Sequence, residues 1–164
     1  MVIHDIPAVV SLNRVNAYIS SLQKVNGVIY MIDATTFKKK LTDVAEDFLF
    51  VLEILKRRRG GIEMLVFANK NDLFDAVSGA EVKDLLEREI SVIYRLRRKE
   101  DPVLARDGER EKEFTFDWVK NEGVSVEFVG GSVEQVNMVG VIKFLERVIK
   151  QEDRFERVIS ELSR

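Results

Sequence analysis

The residues with the most chemistry in this chain are Asn69, Lys70 and Asp72, an Asn-Lys-x-Asp run directly after the apolar stretch from Met64 to Ala68. A carboxylate offers two acceptors in a fork. That fork matches the ring N–H and the exocyclic amine on the Watson–Crick edge of guanine, and adenine presents no such pair of donors. Asp72 is therefore the candidate that selects the base. The Lys70 stem can lie along the flat face of the base, and Asn69 can tie neighbouring loops together. The same residues also suit plain turn chemistry at the approach to a helix. A second candidate, Gly130-Gly131-Ser132-Val133, follows the last apolar run. A tight glycine turn there would let backbone N–H groups reach a base carbonyl, although a glycine pair after a strand is by itself only a turn signal. A third residue, Asp5, closes the first short apolar piece.

These residues need elements to hold them, and the hydrophobic periodicity supplies a set. Val2 and Ile3 open a short strand ending at Asp5-Ile6-Pro7. Ser11 is a candidate N-cap for a helix carrying Leu12, Val15, Ile19 and Leu22, which Asn26-Gly27 would end. Val28 to Ile32 is a continuous apolar run, the pattern of a strand buried on both faces, and Asp33 terminates it. A helix is expected from about Leu41 to Arg59 with Val44, Phe48, Leu52 and Leu55 as its stripe. Lys56 to Arg59 crowd its last turn, where cations favour the helix dipole, and Gly60-Gly61 closes it. After the strand at Met64–Ala68, Ser78 and Glu81 form a capping box for a helix with Val82, Leu85, Leu86, Ile90 and Ile93 on one face.

Residues 95–113 are charged, contain Pro102 and Gly108, and predict a long flexible loop. Phe114, Phe116 and Trp118 alternate as in a short edge strand. Val124, Val126 and Phe128 make the last strand. A final helix is expected from about Val136, its stripe continuing through Phe155, Val158, Ile159 and Leu162. Met31 and Met64 fall in strands and read as core. Strands alternating with helices predict one α/β domain over residues 1–164, a three-layer α/β/α arrangement with a mainly parallel sheet. Ligands in such sheets sit at the carboxyl ends of the strands, which is where the candidate residues fall.

Composition narrows the classes further. Hydrophobic residues make up 46% of the 164 positions, which excludes wholesale disorder. Lys plus Arg is 26 against 28 Asp plus Glu, so the balance calls for no DNA backbone as a direct partner. Cysteine is absent and His4 is the single histidine, which removes thiolate chemistry and histidine metal clusters. No apolar run approaches a membrane span, so the chain reads as soluble. His4 is expected to be an ordinary packed or edge residue. Lys38-Lys39-Lys40 and Lys56 to Arg59 are solvated helix flanks or contacts to an anionic membrane surface or RNA.

Several stretches together resemble the Ras-like small GTPase domains, and within them the signal recognition particle receptor beta subunits. They are VIYMIDATTF from Val28 to Phe37, the helix from Lys40 through Leu49, NKNDL from Asn69 to Leu73, and the charged insertion followed by Phe114-Thr115-Phe116 and Gly131-Ser132. The insertion separates the chain from Arf- and Sar-like trafficking GTPases, the first alternative. A degenerate, nucleotide-free interaction scaffold is the second.

The resemblance implies GTP or GDP with Mg²⁺ as cofactors. Asn69, Lys70 and Asp72 would hold guanine, and Ser132 and Val133 would form the turn beside it, with the Val133 N–H aimed at the base carbonyl. Asp5 would lie near Mg²⁺. Ala8 stands where the family's switch has glycine, and Glu134 where it often has lysine. The implied role is a guanine-nucleotide-dependent anchor for the receptor's alpha subunit, bound through that subunit's N-terminal domain. It would act in co-translational targeting at the cytosolic face of the endoplasmic reticulum membrane, with the ribosome or translocon as further partners.

No Gly-x-x-x-x-Gly-Lys-[Ser/Thr] loop occurs, and backbone N–H groups in such a loop are what cradle phosphates. The chain is therefore expected to be the C-terminal two-thirds of a GTPase domain, N-terminally incomplete. Membrane attachment would run through a segment outside it, and GTP hydrolysis by this chain alone is not expected. The sheet should then have a central gap, closed by direct pairing of the strands ending at Asp5 and Asp33 or by a partner.

Overall fold

A computed structural model describes residues 2–6, 11–58, 60–100 and 113–162. The order of elements is helix α1 (Leu12–Ser21), strand β1 (Gly27–Asp33), helix α2 (Leu41–Lys56), strand β2 (Ile62–Asn69), helix α3 (Gly79–Glu100), helix α4 (Phe116–Asn121), strand β3 (Val124–Gly130) and helix α5 (Val139–Leu162), with a 3-10 turn at Phe37–Lys40. The three strands form one parallel sheet in the order β1-β2-β3. Parallel strands need crossovers, and α2 supplies the first while α3 and α4 share the second.

The strands divide their side chains between two layers. Ile32, Met64, Val66, Ala68 and Val124 face a core built with Phe48, Leu52 and Leu55 of α2, Leu86 and Ile90 of α3, and Phe116 of α4. Leu65 and Phe67 face the opposite way, onto Val141, Phe144 and Val148 of α5. β2 is the central strand and is covered on both faces, which is why its run of apolar residues is unbroken. No described helix is long and apolar enough to cross a membrane.

Several expectations change. The segment at residues 2–6 is not a strand, and Val2 and Ile3 are exposed. Among the described residues nothing pairs with the outer edge of β1, so the direct closure of the sheet by the Asp5 segment does not occur. Two apolar residues have no ladder of hydrogen bonds to offset their ordering entropy without such pairing. β1 itself is covered along one face, and on the other only its first residue, Gly27, lies against Phe144 and Val148 of α5. Ile29 and Met31, which point to the α5 side, are 38% and 55% exposed, because α5 packs over β2 and β3. Met31 is therefore not core.

α1 ends at Ser21 rather than at Asn26-Gly27, and Gly27 begins β1. Residues 95–100 continue α3 and are not loop; residues 101–112 lie outside those described. α5 starts at Val139 because Val136 sits at φ 56°, a left-handed backbone that a helix cannot contain.

The Phe114–Trp118 stretch is a helix start, not a strand. Thr115 caps α4, its hydroxyl accepting from the Trp118 N–H at 3.3 Å. Phe116 and Val119 then share the buried face at helical spacing. The Ser78 hydroxyl accepts from the Glu81 N–H at 3.1 Å, but the Glu81 carboxylate turns outward to Lys38 at 2.7 Å, so half of the capping box forms. The second basic run is more than a solvated flank. Arg58 donates to the carbonyl oxygens of Ile19 at 2.7 Å and Leu22 at 2.6 Å, tying the end of α1 to the end of α2. His4 is an exposed surface group whose Nδ1 meets the Tyr18 hydroxyl at 2.6 Å.

Candidate functional site

The parallel register sets Asp33 beside Asn69 and Ala68 beside Gly130, so the three strands end together. Every sequence candidate except Asp5 lies within a few residues of that common end. Asp5 is exposed in the segment before α1, and Pro7 and Ala8 lie outside the described residues.

Backbone hydrogen bonds stitch the strand ends into one platform. The Ala34 N–H donates to Asn69 O at 3.0 Å, and the Gly131 N–H donates to Ala68 O at 3.0 Å. Asn71, the variable position of the motif, is the brace between the loops. Its N–H donates to Gly131 O at 2.9 Å and its side-chain amide donates to Val77 O at 2.9 Å. Such closeness needs glycine: a Cβ on Gly130 would stand 2.8 Å from Asn71 Oδ1, and one on Gly131 would stand 2.3 Å from Asn137 O. Gly131→Ala must push backbone against backbone. We expect it to destabilise the fold by about 1–3 kcal/mol, read as a lowered unfolding temperature; an unchanged temperature would contradict the geometry.

Asn69 performs the tying role expected of it. Its Oδ1 accepts from the Lys70 N–H at 2.8 Å and from the Val133 N–H at 3.0 Å, joining the motif to the turn after β3. The Val133 N–H is thus directed at Asn69 and not at open space, so it can serve a base carbonyl only by sharing its proton. Ser132 is buried, and its hydroxyl accepts from the Gln135 N–H at 3.1 Å. It shapes the turn. Asp72 is exposed, and no hydrogen bond or ion pair holds its carboxylate among the described residues.

Lys70 stands at φ 64°, an uncommon backbone for a non-glycine residue. Its ammonium reaches across the strand ends to Asp33 Oδ2 at 2.7 Å. Asp33 Oδ1 in turn accepts from the Thr35 N–H at 3.0 Å and the Thr35 hydroxyl at 2.7 Å. These bonds hold the Asp33 carboxyl down at about 2, the Lys70 hydrogen bond first and the Thr35 hydroxyl next. Lys70 is raised by the same bond, with the Glu134 charge a lesser cause. In the sequence Asp33 reads only as a strand terminator. Its readable signal was an Asp followed two residues later by Thr, the pattern of an Asx turn.

The donor set suits a guanine base: a carboxylate with both acceptors open, a lysine stem spanning the strand ends, and a braced turn opposite. It does not suit a metal ion. Among the described residues no group of three or more His, Asp or Glu could hold one, so no step is derived through Mg²⁺.

Comparison with known proteins bears on this geometry. The family model for the signal recognition particle receptor beta subunit matches residues 1–129. The chain is 37% identical over 98 residues to signal recognition particle receptor subunit beta of Saccharomyces cerevisiae, a match covering 58% of this chain and 40% of the yeast protein. It therefore spans about two-fifths of the length of that relative. Among solved structures it is similar to the signal recognition particle receptor SRb-GTP/SRX complex from Chaetomium thermophilum, with a TM-score of 0.59 and 31% identity over 68% of this chain and 45% of the other. The SRb-GDP-Mg structure from the same organism gives a TM-score of 0.57 and 32% identity, covering 65% of this chain and 52% of the other. The parallel α/β sheet with its helices is that of these small-GTPase-like domains.

Proposed function

This chain belongs to the signal recognition particle receptor beta subunit family, and we propose that the common end of its three strands is the guanine-binding half of a nucleotide site. The observation that carries the reading is the free, exposed Asp72 carboxylate beside an Asn69–Lys70 pair fixed by the ends of β1 and β3. Asp72 accepts from the ring N–H and the exocyclic amine of guanine. The Lys70 stem flanks the base, and Asn69 keeps the Ser132–Val133 turn in place against it. The phosphates and Mg²⁺ need donors that these residues do not include.

The protein then serves as a guanine-nucleotide-dependent anchor for the receptor's alpha subunit in co-translational targeting, at the cytosolic face of the endoplasmic reticulum membrane. Family membership supports this role, as does the likeness to a GTP-bound SRb assembled with SRX. Contact with the ribosome or translocon follows from the same role.

Calorimetric titration of the protein at its natural length tests the site. GDP should bind at least about a hundredfold more tightly than ADP, because adenine leaves the Asp72 carboxylate unpaired. Equal affinity for the two would remove Asp72 from base selection, and failure to bind GDP at all would favour the nucleotide-free scaffold.

A further inference from the structure

We infer that Asp33 is a positioning residue for the base: it holds the Lys70 ammonium at the end of β1 and so keeps the lysine stem stretched across the strand ends. The inference rests on the guanine reading and adds to it a residue outside the Asn-Lys-x-Asp run.

A free surface carboxylate rotates, and an exposed ion pair with a flexible lysine contributes little. Asp33 cannot rotate freely. Two bonds from Thr35 fix Oδ1, one from the backbone N–H at 3.0 Å and one from the hydroxyl at 2.7 Å, which leaves Oδ2 aimed at Lys70 Nζ at 2.7 Å. β1 and β2 are paired in parallel register at Asp33 and Asn69, so the anchor and the root of the lysine sit on adjacent strand ends. A lysine stem carries several rotatable bonds, and ordering it when a ligand arrives costs binding. The Thr35–Asp33–Lys70 chain orders it beforehand. The Lys70 backbone at φ 64° is a strained conformation kept at the same point.

Asp33→Asn tests this directly, because asparagine retains an oxygen for Thr35 and loses the charge that holds Lys70. In the protein at its natural length, GDP should bind about tenfold more weakly to Asp33→Asn, the scale of a hydrogen bond to a charged group. In a Lys70→Met background the same change should have no further effect, since Asp33 acts through Lys70; a merely structural role would weaken binding equally in both backgrounds. Thr35→Val leaves both charges and removes one orienting bond, and should weaken GDP about two- to threefold. Unchanged or tighter GDP binding by Asp33→Asn overturns the inference while leaving the guanine reading in place. Tighter binding would mean that the ion pair competes with the nucleotide. If the unmodified protein binds no GDP, the guanine reading fails and takes this inference with it.

Discussion

Replacing Asp72 with asparagine should exchange guanine for xanthine. The carboxylate presents two acceptors to the two donors of guanine. Asparagine presents one acceptor and one donor, and xanthine offers the complementary pair, a ring N–H beside a carbonyl. The mismatch with guanine buries an amine against an amine, which is why sites built on hydrogen bonds reject the wrong partner so strongly. GDP affinity should fall about a hundredfold or more, and xanthosine diphosphate should gain what GDP loses. The structure favours a clean result. Asp72 is exposed and holds up no neighbour among the described residues, so the substitution should leave the unfolding temperature unchanged. Titrating both nucleotides into the wild type and the variant, at natural length, reads the exchange. GDP affinity unchanged by Asp72→Asn would remove Asp72 from base recognition.

The largest effect on stability should come from Phe116→Ala. Phe116 opens α4 and is almost fully buried. Its ring packs edge-on against Phe48 of α2 at 5.8 Å, Phe114 at 5.1 Å and Phe128 of β3 at 4.8 Å. Truncation removes all three contacts and leaves a cavity between α2, α4 and β3. A loss of about 3–5 kcal/mol is expected. Trp118 is the control. It is 40% exposed, with Lys56 over its ring at 4.5 Å, and Trp118→Ala should cost far less. In an edge strand Phe114, Phe116 and Trp118 would share one face and cost alike. Chemical denaturation of the two variants therefore separates helix from strand, and equal losses would contradict α4.

Phe114 to Trp118 also show what periodicity could not decide. Alternating aromatics fit a strand, but Thr115 accepts the Trp118 N–H and starts a helical turn instead. A stretch of five residues supports both periods, and only burial against α2 and β3 chose between them. The same holds for Val28 to Ile32. Its apolar run implied cover on both faces, while α5 shelters β2 and β3 and leaves Met31 exposed. Apolar composition states a preference for burial and says nothing about which neighbour arrives.

Strands β1, β2 and β3, the main helices, a mainly parallel sheet and the Asn69–Asp72 motif were determined by the chain itself, because they rest on local pattern and on short-range turn chemistry, whereas the strands expected at Val2–Asp5 and Phe114–Trp118 did not form. Their ends were less secure: Val136, with its left-handed backbone, delays α5 to Val139. What tertiary structure alone decided is the site's wiring. Asp33 and Lys70 are 37 residues apart along the chain, Asn69 and Val133 are 64 apart, and each pair is joined by a hydrogen bond. No local signal links such residues. They meet because parallel pairing sets the ends of β1, β2 and β3 side by side, and that register is a property of the assembled sheet.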